Sequence, residues 1–200
     1  ANMKISDWSI WAEEGDEWSL GDLKTGWRAL VLDVGGFSHA TEQALVANAL
    51  LNELWRRRDR RQPTLIVIDE AHNICPQHPD NPIQALATER AIAIAAEGRK
   101  FGLYLLLSTQ QPHKIHSNVL AQCDNLVLMR MNSSEDLQHL SRVFSFVPPA
   151  LMDRSRTFAQ GESLVAGKIT PVPMLIRFGQ RYSQEGGGDV PDTWARPAST

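Results

Sequence analysis

The sequence has no apolar run near the roughly twenty residues that a membrane-spanning helix requires. Its first residues, Ala1-Asn2-Met3-Lys4, lead into acidic, tryptophan-containing sequence instead of a signal peptide. Both absences lead us to expect a cytoplasmic protein with no membrane partner. Cysteine is scarce: Cys75 and Cys123 lie far apart and form no CxxC, which suits a reducing compartment. Net charge is scarce too. Twenty Lys and Arg against 23 Asp and Glu leave -3, a balance that does not advertise nucleic-acid binding by the whole chain but is compatible with a local basic patch. What is present is globular: 200 residues, 42% hydrophobic and 22% charged, suffice for one domain of ordinary size with a core. We find no internal repeat. The chain begins with Ala, not Met, which leads us to expect a fragment or a processed polypeptide.

A phosphate-binding loop is also missing. Gly21-Asp22-Leu23-Lys24-Thr25-Gly26 has its two glycines at the right separation, but Trp27-Arg28 stands where Lys-Ser or Lys-Thr is required. Without that lysine there is no cation for the β and γ phosphates, and without the hydroxyl no inner Mg²⁺ ligand. We read the stretch as a turn.

The chain is organised around Leu65-Ile66-Val67-Ile68-Asp69-Glu70-Ala71-His72. The apolar run reads as a short buried strand of the kind found in the middle of a parallel sheet. Two carboxylates follow it at the sheet's carboxyl edge, where open α/β sheets bind ligands. This is the Walker B pattern: Asp69 is placed to anchor Mg²⁺ through its water shell, and Glu70 to polarise an attacking water. The alternative is a strand that ends in an acidic helix N-cap with no chemistry, but two adjacent acids after a fully apolar strand are uncommon as mere capping.

Around this stretch, strands alternate with helices, which indicates an α/β fold with a mainly parallel sheet. Residues 1–26, with Trp8, Trp11 and Trp18, read as an irregular lead-in. Residues 29–34 read as a second apolar strand before Gly35-Gly36, and a long, largely buried helix begins at Thr41. That helix ends in Arg56, Arg57, Arg58, Arg60 and Arg61. Two readings fit the run: cations complementing the negative pole of the helix, or a patch contacting DNA phosphates through Arg56, Arg57 and Arg58. His72, Cys75 and His78 recur every third residue, but a fourth zinc ligand is not evident and Pro76 and Pro79 break any helix that would align them. A helix is expected from Pro82 to Glu97, then a strand from Leu103 to Ser108 that puts Gln110 at the same edge as Asp69 and Glu70. An uncharged amide there suits a sensor of a terminal phosphate. A strand over Leu126–Met129, a helix starting at Ser133, a hairpin within 161–178 and a glycine-rich tail over 181–200 complete the chain.

Taken in order, Val31-Leu32-Asp33, the segment from Ile66 to Asn73, Glu97-Gly98-Arg99-Lys100-Phe101-Gly102, Ser108-Thr109-Gln110-Gln111-Pro112, Asn125 to Arg130 and Ser134-Glu135-Asp136 form a set. This set resembles the C-terminal half of a HerA-like ATPase of the HerA/FtsK superfamily of hexameric DNA-pumping motors. The DEAH tetrapeptide alone would also fit a superfamily 2 helicase, but the Ser-Ala-Thr and Gln-x-x-Gly-Arg motifs of that group are absent. The resemblance covers about residues 27–180 and implies a partial RecA-like P-loop NTPase core whose P-loop strand is absent from this chain, leaving an exposed or repaired gap in the sheet. It further implies ATP and Mg²⁺ as ligands, Asp69 on Mg²⁺, Glu70 and Gln110 as catalytic residues, and Arg99 as a finger reaching the neighbouring subunit's site, with Arg130 a competing finger. Gln111 stands where the family often has Arg. DNA, a homo-hexamer and a nuclease fed by the motor are the implied partners. Two other readings remain: a non-catalytic oligomerisation or docking module, and a secretion or conjugation ATPase fragment.

Overall fold

The computed structural model describes residues 28–37 and 39–180, with positions 10, 20, 182 and 183. The lead-in, its Gly21-to-Gly26 turn and the tail otherwise lie outside the described residues.

Helix α1 (Ala40–Arg56) starts just after the Gly35-Gly36 break. The buried Glu42 carboxylate accepts the His39 N–H at 3.0 Å, which satisfies a donor at the helix entrance. Only Glu42, Ala44 and Leu51 of α1 are buried, fewer than its apolar sequence leads one to expect. Its principal neighbour among the described residues is α2 (Pro82–Glu97), and most of the rest of α1 is half-buried. Helix α2 has the expected bounds. Asn81 caps it by accepting the Gln84 N–H at 2.9 Å, and Pro82 occupies a first-turn position where a donor would go unused.

Strands β1 (Thr64–Ile68) and β2 (Leu103–Leu107) pair in parallel, with Thr64 opposite Leu103 and Ile68 opposite Leu107. Helix α2 is the crossover between them, as a parallel connection requires. Side chains alternate across the pair. Ile66, Ile68 and Leu103 enter the core, whereas Leu65, Val67, Tyr104 and Leu106 lie side by side on the other face, 47 to 61% exposed. The expectation of a strand buried on both faces is thus corrected: among the described residues helices cover one face only. Residues 28–34 also depart from expectation. They form no strand, and Val31 is 86% exposed. An apolar run becomes a strand only when it pairs with another, and among the described residues this one pairs with none.

Strand β3 (Asn125–Leu128) joins the C-terminal hairpin, pairing antiparallel with β4 (Glu162–Gly167), which pairs in turn with β5 (Met174–Arg177). The parallel pair and this antiparallel sheet share no ladder, so the second edges of β1 and β2 are unpaired among the described residues. The core nonetheless runs through both sheets: Ile94 of α2, Ile115, Val119 of α3 (Ser117–Leu120), Leu140 of α4 (Ser134–Val143), Met152 of α5 (Pro149–Asp153) and Leu164 of β4 form one cluster. No described helix is long and apolar enough to cross a membrane.

Gly167 ends β4 with φ +113, and a Cβ there would lie 2.7 Å from Asn125 Cα and closer still to the Asp124 carbonyl. Gly167→Ala should therefore lower the unfolding free energy by about 2 kcal/mol or more, through strain and the displaced β3. Urea unfolding checks this, and a loss under about 0.5 kcal/mol would contradict the placement of β3 against β4.

Candidate functional site

The parallel register decides which residues meet beyond the strand ends. The Ser108 N–H donates to the Ile68 carbonyl at 2.9 Å, and the Ala71 N–H donates to the Ser108 carbonyl at 2.9 Å. The ladder thus continues one step past each strand and places residues 69–72 against 108–110. Glu70 takes the left-handed conformation, φ 45 and ψ 49, before a tight turn over Ala71–Asn73. A non-glycine residue holds that conformation at a cost of about 1 kcal/mol or more. The surrounding bonds offset it. Buried Gln84 reinforces the turn from α2, its Nε2 donating to the Asn73 carbonyl at 3.0 Å and its Oε1 accepting the Asp80 N–H at 2.8 Å.

Glu70 and Gln110, forty residues apart, meet at this edge: Gln110 Nε2 donates to Glu70 Oε1 at 3.0 Å. Asp69 is exposed beside them, its Oδ1 accepting the Glu70 N–H at 3.1 Å. His72 and Thr109 belong to the same group, with His72 Nδ1 2.9 Å from Thr109 Oγ1 and 3.2 Å from Glu70 Oε2. Sequence reasoning assigned neither of them a role at this edge. Their signal was position alone: each lies within two residues of Glu70 or Gln110 on segments that share a sheet edge.

Among the described residues no group of three or more His, Cys, Asp and Glu is arranged to hold a metal. His72, Cys75 and His78 therefore do not form a zinc cage. Burial pushes the Cys75 thiol up to about 12, and its Sγ donates to the Ala71 carbonyl at 3.3 Å. A single exposed carboxylate such as Asp69 fits Mg²⁺, which keeps several waters and takes its remaining ligands from phosphate oxygens.

The segment following Gln110 is pinned on its far side. The His113 N–H and His113 Nδ1 both reach Asp136 Oδ1, at 3.1 and 2.7 Å, and the Asp136 N–H donates to Ser133 Oγ at 3.2 Å. Burial acts to raise the Asp136 pKa, but the hydrogen bonds involving Ser133 and His113 outweigh it and hold the carboxyl below its ordinary value.

Arg99 lies elsewhere. It is exposed in the turn after α2, at the amino edge of the parallel pair. Five residues of strand separate that edge from Glu70, about 15 Å at the usual rise. Arg99 is not assembled with Glu70 within one chain. Arg130 is exposed beyond β3. The arginine run is partly committed: Arg56 and Arg57 pair with Glu53, whose pKa the Arg56 hydrogen bond chiefly, with Arg57, lowers to about 2. Such surface pairs are weak and leave Arg56 able to exchange its partner for another anion. Arg58 is more firmly held, 4.7 Å over the Trp55 ring and 5.3 Å over Phe101, and it donates to the Trp55 carbonyl at 3.0 Å. A groove of about 670 Å³ between α4 and α5 lies away from this chemistry, and its Asp153 is paired with Arg156.

Comparison with known proteins bears on these features. No family model matches the chain. In fold it is similar to VirB4 of Thermoanaerobacter pseudethanolicus, with a TM-score of 0.54 and 17% identity over 72% of this chain and 39% of that one. It is also similar to the genome packaging NTPase B204 from Sulfolobus turreted icosahedral virus 2 in complex with AMPPCP, with a TM-score of 0.50 and 19% identity over 67% and 63% of the two chains. The chain shares with these structures an α/β fold built on a parallel pair of strands. In sequence it is 29% identical over 150 residues to a probable helicase of Methanocaldococcus jannaschii, covering 72% of this chain and 28% of the relative. It is 24% identical over 198 residues to the DNA double-strand break repair helicase HerA of Sulfurisphaera tokodaii, covering 93% of this chain and 39% of the relative. In sequence the chain is thus similar to HerA-type helicases over most of its length. It spans well under half the length of these relatives.

The Asp136 clamp yields a pH prediction. Because the folded-state pKa is depressed, the stabilisation is present above the unfolded value of about 3.9 and is lost as pH falls through the lower folded value. Asp136→Asn should be less stable than wild type at neutral pH, and the gap should narrow below about pH 4. Chemical denaturation across pH checks this; a gap that does not change with pH would contradict it.

Proposed function

We propose that this chain supplies the hydrolytic half of an ATP site to a ring-shaped, ATP-driven DNA translocase or helicase. The observation that carries the reading is the 3.0 Å bond between Gln110 and Glu70 at the carboxyl edge of β1 and β2, beside exposed Asp69. A docking module has no need of a carboxylate and an amide converging there.

In this reading the terminal phosphate of ATP sits against Gln110, with water between it and Glu70. Glu70 takes a proton from that water as its oxygen attacks the γ-phosphorus, the bond to the bridging oxygen breaks, and ADP and phosphate result. Asp69 would hold Mg²⁺ through water, and the ion would neutralise charge on the phosphate oxygens. Arg99, about 15 Å from Glu70 along the same sheet, is too far to join Glu70 within one chain, which supports its proposed role as a finger acting in trans. A hexamer is the proposed ring. DNA is the proposed substrate of the motor, with Arg56 and Arg57 able to exchange Glu53 for backbone phosphates. Arg58 is a weaker candidate for DNA because its guanidinium is stacked. A nuclease fed by the ring is a proposed partner. The names of the curated relatives, HerA helicases of double-strand break repair, support the DNA reading.

In the full-length protein, Glu70→Gln should lower ATP turnover by about a hundredfold or more while nucleotide binding persists. Unchanged turnover would contradict the assignment. Mixing Arg99→Ala subunits with Glu70→Gln subunits should restore part of the activity at mixed interfaces, and no recovery would remove Arg99 from the site.

A further inference from the structure

The two oxygens of Glu70 are treated differently. Oε1 accepts a well-formed bond from Gln110 at 3.0 Å. Oε2 is buried and receives no aligned hydrogen bond, yet it lies 3.2 Å from His72 Nδ1. That nitrogen is also 2.9 Å from Thr109 Oγ1. The His72 side chain is 14% exposed, so its ring has little room to turn.

Thr109 fixes the ring from the other side. Its hydroxyl oxygen accepts the Gln111 N–H at 3.0 Å, which leaves its own proton and one lone pair for the imidazole. One nitrogen therefore stands between two oxygens, and an N–H there can point well at only one of them. Residues 109 and 110 are consecutive, so the end of β2 reaches both oxygens of Glu70, one directly through Gln110 and the other through Thr109 and His72.

We propose that His72 and Thr109 are positioning residues for the Glu70 carboxylate: an Nδ1–H shared between Thr109 Oγ1 and Glu70 Oε2 keeps the imidazole edge against Oε2 while Gln110 occupies Oε1. The proposal rests on the hydrolytic reading of Glu70. Its consequence is an order of events. When the Gln110 amide turns to a terminal phosphate, Oε1 is released to accept the proton of water, while Oε2 stays fixed and keeps the carboxylate aimed. The tie between phosphate sensing and base release then lies in the four residues Glu70, His72, Thr109 and Gln110.

The test uses the full-length protein and compares Thr109→Val, Thr109→Ser, His72→Leu and His72→Asn with Glu70→Gln as reference. Serine keeps the hydroxyl, and asparagine can put a nitrogen where His72 Nδ1 lies. Thr109→Val and His72→Leu should each lower kcat for ATP by about tenfold or more, with KM and nucleotide affinity within about twofold of wild type. Thr109→Ser and His72→Asn should recover most of the loss. If Glu70→Gln abolishes turnover while Thr109→Val and His72→Leu leave kcat unchanged, the positioning roles are refuted and the hydrolytic reading stands. Failure of serine and asparagine to recover kcat, or a loss in which KM rises with the fall in kcat, would also refute them. If Glu70→Gln itself leaves turnover unchanged, the hydrolytic reading falls and takes this proposal with it. Should Thr109→Val or His72→Leu not fold, the conservative pair decides: near wild-type kcat is expected, and a tenfold loss with intact melting behaviour overturns the proposal.

Discussion

The arrangement depends on one backbone ladder, the parallel pairing of β1 and β2 and its extension past their ends. Two backbone hydrogen bonds, from the Ser108 N–H to the Ile68 carbonyl and from the Ala71 N–H to the Ser108 carbonyl, are enough to bring side chains forty residues apart into hydrogen-bonding distance. A slip of one residue in this register would turn each core residue of one strand to the bare face and separate Gln110 from Glu70. The same ladder is what allows Glu70 to hold a left-handed backbone, since Ala71 is tied to β2 on one side and Asn73 to Gln84 on the other.

The second physical feature is incompleteness. Helices cover one face of the parallel pair, and Leu65, Val67, Tyr104 and Leu106 form a contiguous apolar patch on the other. The unpaired edges of β1 and β2 and the separate antiparallel sheet agree with a core from which a strand is missing among the described residues. On the proposed function the open edge at Asp69 and Glu70 is half of a phosphate site, and half a site presents as a surface.

Much of this was legible in the sequence because its signals are local. The apolar run before Asp69-Glu70, the Pro82 start of α2 and the Ser133 cap of α4 each state their element in a few residues. Gln110 was legible as well, since a strand ending just before it must deliver it to the edge reached by Asp69 if the sheet is parallel. The failures were of tertiary origin. Residues 29–34 have strand composition but join no ladder among the described residues, and β1 has the composition of a doubly buried strand but one covered face among them. The pairing of β3 with the hairpin depends on contacts that composition does not encode. At the site, the arginine run looked uniform, yet the structure divides it: Arg58 is held by Trp55 and Phe101, a neighbour forty-three positions away. The closeness of His72 and Thr109 was likewise invisible, because it follows from register and a turn together.

The central claim is that one edge, carrying Asp69, Glu70 and Gln110, faces the terminal phosphate of ATP. A crystal or electron-microscopy structure of the full-length protein with a non-hydrolysable ATP analogue and Mg²⁺ tests it most directly. The account predicts Gln110 turned from Glu70 Oε1 to the γ-phosphate, Glu70 within one water of it, and Asp69 on the water shell of the ion. Nucleotide bound away from this edge, with the Gln110–Glu70 bond intact, would contradict it.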